Sequence, residues 1–115
     1  MFVTWTVNGE IYKLRLTTMQ AIQIEKQLGM GMTKVIDGHL MDSTVIATVL
    51  WGALQQYQHG TSLKDVCTIY DDYIEEGGNI DEIIDIIMEL FAQIGIGGSS
   101  ERKNKKGQKE NDLIE

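Results

Sequence analysis

Residues 4–16 read TWTVNGEIYKLRL. Apolar and polar side chains alternate, stop at Asn8-Gly9, and resume. Alternation of period two places one set of side chains on one face of a strand. Asn-Gly between two such runs is the signal for a type I′ hairpin, in which both turn residues take positive φ. That turn fixes the register: Val7 opposite Glu10, Trp5 opposite Tyr12, Val3 opposite Leu14. Val3, Trp5, Val7, Tyr12 and Leu14 then share a strongly apolar side. Phe2, Thr4, Thr6, Ile11, Lys13 and Arg15 share the other. A lone two-stranded ribbon is marginal in water, so the apolar side requires a helical layer to cover it.

The rest of the chain supplies that layer. Thr17 and Thr18 are N-cap candidates; Thr17 with Gln20 three residues on has capping-box spacing, and Ala21, Ile24 and Leu28 form one helix face that Gly29 stops. Met32, Val35 and Ile36 make a short helical turn ending before Gly38. Ser43 is the expected cap of a helix over 44–58, whose stripe runs Val45/Ile46, Val49/Leu50, Ala53/Leu54, Tyr57. Leu50 belongs at the centre of that core. His59-Gly60 ends this helix. Thr61 or Ser62 starts the next helix; Ser62 and Asp65 form a capping-box variant, and the inward face is Leu63, Val66, Cys67, Tyr70, Tyr73 and Ile74. Glu76-Gly77-Gly78 breaks the helix. Asn79 caps a final helix driven inward by Ile83, Ile84, Ile86, Ile87, Leu90, Phe91 and Ile94. The expected fold is α+β and mainly α: an N-terminal hairpin on a bundle of about four helices, spanning residues 1–96. Residues 97–115 change composition abruptly and read as a disordered, charged tail.

Composition narrows the function classes. Of 115 residues, 10 are basic and 17 acidic, a net charge of −7. Five of those basic residues and four of the acidic ones lie beyond residue 97, which leaves the body at −8. An acidic body repels phosphates, so nucleic acid is a poor partner, whereas a basic protein is not repelled. Cys67 is the single cysteine, which excludes an internal disulfide and fits a reducing, intracellular setting. Neither a signal peptide nor a membrane-spanning run stands out in the sequence.

Chemistry-bearing motifs are weak. His39 and His59 fall at helix ends, and zinc sites need three or four ligands at tight spacing. Cys67, on the apolar face, reads as a buried thiol. GMGMTK and GIGGSS follow helices and lack the phosphate-loop lysine, so they read as helix stops. Asp71, Asp72, Glu75 and Glu76 lie four apart in pairs, a solvated face or a dock for a basic partner rather than an acid–base pair. The expectation is a protein with no catalytic, cofactor or metal site.

The ordered pattern WTVNGEIYKLRLT, IEKQLGMGMTKVID, TVIATVLWGALQQYQHG, TSLKDVCTIYDDYIEEGG and an isoleucine-rich last helix covers residues 3–95. It resembles the tail assembly chaperones of long-tailed bacteriophages and prophages. The resemblance implies a non-structural assembly factor in the cytoplasm of the bacterial host. Such a factor binds the apolar, helical tape measure protein and keeps it soluble until tail tube subunits polymerise. It also implies a longer, frameshifted form that recruits the tail tube protein, and the lysine-rich RKNKKGQKEN suits an A-rich slip site. A structural tail or head-completion protein and a small regulatory adaptor from a mobile element are the alternatives, with an enzyme built on an acidic site last. Candidate partner-binding residues are Phe2, Thr4, Ile11 and Lys13 on the hairpin and the acidic quartet Asp71, Asp72, Glu75 and Glu76. The open strand edges beside Phe2 and Ile11 can accept a client strand or a second copy.

Overall fold

The computed structural model describes residues 1–97. The tail expected over 97–115 thus lies, beyond Gly97, outside the described residues. Strands β1 (Val3–Val7) and β2 (Glu10–Leu14) form a two-stranded antiparallel sheet. They are followed by helices α1 (Thr18–Leu28), α2 (Met32–Asp37), α3 (Ser43–Leu54), α4 (Leu63–Glu75) and α5 (Ile80–Gln93). The architecture is α+β and mainly α, with the hairpin at the N-terminus.

The hairpin register pairs Val3 with Leu14, Trp5 with Tyr12 and Val7 with Glu10. Asn8 and Gly9 have φ of 51° and 80°, the left-handed backbone that the type I′ turn requires. The apolar side faces the helices. Trp5, Val7 and Leu14 are buried, and Val3 and Tyr12 pack beside them.

Helix α3 is the hub: it packs against α1, α4, α5 and β2. Residues around most of its circumference are buried, from Val45 and Ile46 through Val49 and Leu50 to Ala53 and Leu54. A helix apolar on nearly every side must be enclosed. Its crossing with α1 is close at Gly52, where a Cβ would run into the Ile24 side chain. The end of β2 is tied to α3 by the Arg15 N–H donating to the Ala53 carbonyl at 2.9 Å. The next residue's N–H, from Leu16, donates to Gln93 Oε1 at 2.8 Å and so reaches α5.

Four expectations are corrected. The cap of α3 is Asp42, whose Oδ1 accepts from the Val45 N–H at 3.0 Å, not Ser43. Helix α3 ends at Leu54, not at residue 58, and Tyr57 is therefore exposed instead of extending the buried stripe. The Gln55 side-chain amide donates to the carbonyls of Trp51 and Thr61, both at 2.9 Å, and this stabilises the turn that replaces the last helical residues. Cys67 is exposed. Helix α4 turns Val66 and Tyr73 fully inward with Tyr70 beside them, and Cys67, about 100° round from Val66, falls on the flank. Ile74, also expected inward, is exposed for the same reason. The remaining caps follow the sequence: Thr17 on α1, the Ser62–Asp65 capping box on α4, and Asn79 on α5.

Candidate functional site

Two surfaces result from this packing. The first is the outward side of the hairpin. Alternation sends Thr4, Thr6, Ile11 and Lys13 away from the helices, and all four are exposed. Phe2, just before β1, lies with its ring against Tyr57 in an edge-on arrangement, centroids 5.8 Å apart. The Lys13 ammonium sits 4.9 Å from the Phe2 centroid and 5.8 Å from that of Tyr57. A cation over aromatic faces is held by their negative quadrupole. Despite these contacts Phe2 remains 44 % exposed, Tyr57 41 % and Ile11 61 %. The result is an apolar patch that carries a positive charge, on an otherwise acidic body.

The second surface belongs to α4. The sequence groups Asp71, Asp72, Glu75 and Glu76, but the helix distributes them. Glu76 is engaged with the hairpin: its Oε1 accepts the Asn8 N–H at 2.8 Å, across 68 residues of sequence. Half-buried Asp72 lies near Tyr12, whose hydroxyl is raised from its ordinary value by burial, then by the charges of Glu10 and Asp72. Glu75 is exposed. Asp71 sits instead at a cavity of about 230 Å³ between the N-terminal half of α3, α4 and the start of α5. Ile46, Ala47, Cys67, Tyr70 and Ile80 also line it. The cavity combines residues from three helices and was not anticipated from the sequence. Neither was the part Tyr57 plays in the hairpin patch.

Beneath the hairpin is an aromatic cage. Trp5 is 2 % exposed and has Tyr12, Tyr70 and Tyr73 around it at centroid distances of 6.0, 6.5 and 5.8 Å. The indole N–H has no hydrogen-bond acceptor among the described residues. Tyr73 donates its hydroxyl proton to the Glu82 carboxylate and also reaches the Asn79 carbonyl at 3.3 Å. Burial, followed by the Glu82 hydrogen bond, pushes its pKa up to about 12. Burial also raises Tyr70. Tyr73 is thereby held as a neutral donor, a structural role.

His39 and His59 are both exposed. Among the described residues no group of three or more His, Cys, Asp or Glu side chains gathers where a metal ion could be held. No helix among them is long and apolar enough to cross a membrane.

A family model matches residues 4–115, nearly the whole chain. The chain belongs to DUF6096, a family of unknown function. The DUF6096 match begins inside β1 and takes in the turn, all five helices and the residues beyond Gly97. Both candidate surfaces except Phe2 fall within it. No curated protein and no solved structure matches the chain.

Proposed function

We propose that this DUF6096 protein acts by binding and not by catalysis, as a phage tail assembly chaperone in the cytoplasm of the bacterial host. Its client in this reading is the tape measure protein, kept soluble while tail tube subunits assemble. A longer frameshifted form would bring in the tail tube protein. The resemblance over residues 3–95 supplies the identity of the client. The observation that carries the reading is the outward hairpin patch, where Phe2, Ile11 and Tyr57 present apolar surface around Lys13. Large apolar side chains clustered on the surface of so small a domain mark an interaction site. A chaperone of an apolar helix needs such a surface.

Co-expression with a cognate tape measure protein tests the proposal. The expected result is a higher soluble yield of that protein and a complex that co-purifies. An unchanged yield with no complex overturns it. Finding this chain in purified virions would make it a structural tail or head-completion component instead.

A further inference from the structure

The C-terminal end of α5 turns the chain back. The Gly95 N–H donates to the Ala92 carbonyl at 3.1 Å and the Ile96 N–H to the Phe91 carbonyl at 3.0 Å, with Gly95 at a φ of 82°. Two such bonds around a left-handed residue make a Schellman motif. Gly97 then lies against the Met88 side chain, where a Cβ would stand 3.5 Å from Cε. The chain therefore leaves the described residues alongside α5. Met88 shares a side of the helix with Asp81, Asp85 and Glu89, which lie four apart and are all exposed. None of the three has an ion-pair partner among the described residues. From Met88 this stripe leads back to Ile80, about 12 Å away at 1.5 Å per residue. Ile80 lines the cavity between α3, α4 and α5.

Charge is divided in the same way. Residues 1–62 hold four acidic and four basic side chains and are neutral overall. Residues 63–97, which form α4 and α5, hold nine acidic side chains and only Lys64 against them. The segment that follows carries the opposite sign: residues 102–109, RKNKKGQK, hold five basic side chains and no acidic one. Leu113-Ile114 is the one large apolar pair beyond Gly97. The order along this segment repeats the order on the surface. A basic run and then an apolar pair follow Gly97, and an acidic stripe and then an apolar cavity follow the point where the chain leaves α5. The cavity, about 230 Å³ with Ile46, Ala47 and Ile80 in its wall, is far larger than the roughly 15 Å³ one water needs, so it takes an aliphatic side chain. From Gly97 to Leu113 the chain spans up to about 50 Å at roughly 3.3 Å per residue, several times the length of the stripe. Asp112 and Glu115 flank the apolar pair. Lys64 is exposed and lies three and seven residues before Cys67 and Asp71, so it falls on the cavity side of α4, where it can meet them.

We infer that the cavity is the docking site of this chain's own segment 102–115. Arg102, Lys103, Lys105, Lys106 and Lys109 cross the acidic stripe of α5, and Leu113-Ile114 enters between α3 and α4. Opposite charge guides the segment to this face and away from the neutral part of the body. The connection is covalent, so the pair is present at a high effective concentration and a contact of this small size fills without any second molecule. Docked, the segment closes the cavity to other ligands. The inference does not rest on the identity of any client, and its test uses this chain alone.

Cys67 lines the cavity and reports on it directly. Its alkylation by a maleimide should be several-fold slower in the full chain than in the double variant Leu113→Asp, Ile114→Asp, and the rate should not depend on protein concentration. Reversing charge at exposed positions of the stripe, Asp85→Lys with Glu89→Lys, should raise the rate toward that of the double variant, with circular dichroism unchanged. High salt should do the same in the natural chain, because it screens exposed charges. Ile114→Cys under a mild oxidant should give a disulfide with Cys67 inside one chain: a monomer that migrates faster without reductant and is absent in the Cys67→Ser background. Equal labelling of the full chain and the double variant overturns the inference. So does protection that grows with protein concentration, or cross-linking that yields only dimers, since the occupant would then be another copy.

Discussion

The two faces of the hairpin carry similar chemistry and are used differently. On the inner face Trp5 stands among Tyr12, Tyr70 and Tyr73, three rings whose centroids lie within 6.5 Å of the indole. On the outer face Phe2 and Tyr57 meet edge-on beneath the Lys13 ammonium. Both clusters gain from ring contacts of about 0.5–1.5 kcal/mol per pair. What separates them is the third layer. Helices α4 and α5 cover the inner rings, and solvent meets the outer ones. The same kind of side chain therefore serves stability on one face and is left available for recognition on the other. The lesson is that aromatic content says little about role until the covering layer is known.

Substitutions on each face should separate these roles. Trp5→Ala removes an almost fully enclosed indole and leaves a large cavity; it should cost about 3–5 kcal/mol in urea unfolding. Alkaline pH should act on the inner cage next. In the unfolded chain tyrosine ionises near pH 10, whereas Tyr73 in the fold holds its proton to about 12. The unfolded state loses its proton first, so the contribution is whole below pH 10 and is lost as pH rises toward 12, on the order of 2 kcal/mol. Tyr73→Phe should flatten much of that slope, leaving the smaller part due to Tyr12 and Tyr70. Glu76→Ala cuts the hydrogen bond that joins the hairpin turn to α4 and should cost about 1 kcal/mol by the same unfolding measurement. Ile11→Ser on the outer face should move stability by no more than about 0.5 kcal/mol, as surface changes do. If Ile11→Ser destabilised the fold as much as Trp5→Ala, the distinction between the faces would collapse.

The hairpin was legible because its signals are local. Asn8-Gly9 sets the turn, the turn sets the register, and the register sorts side chains between faces. The caps at Thr17, Ser62 and Asn79 were legible for the same reason: each side chain acts on an N–H three residues away. Asp42 and Ser43 are neighbours with similar capping chemistry, and only geometry decides between them. The end of α3 was hidden because no glycine or proline marks Leu54; a side-chain amide from Gln55 stabilises the turn there. At the candidate surfaces, alternation alone placed Thr4, Ile11 and Lys13 outward. The separation of Asp71 from Glu76 was not readable, because it depends on where α4 lies against the hairpin. Nor was the cavity, which brings together residues near 46, 67 and 80.

The Asn8–Glu76 hydrogen bond and the Leu16–Gln93 hydrogen bond set a schedule for folding on the ribosome. They span 68 and 77 residues. The hairpin's own strands can pair within microseconds of leaving the exit tunnel. Its apolar side, however, finds Tyr70, Tyr73 and Gln93 only after α4 and α5 have been translated, several seconds later at about 5–20 residues per second. During that interval the part of the core side that ends against α4 and α5 is as open to water as the outer side. Nascent chains of this protein on neighbouring ribosomes thus face their greatest risk of mispairing before the last helix emerges.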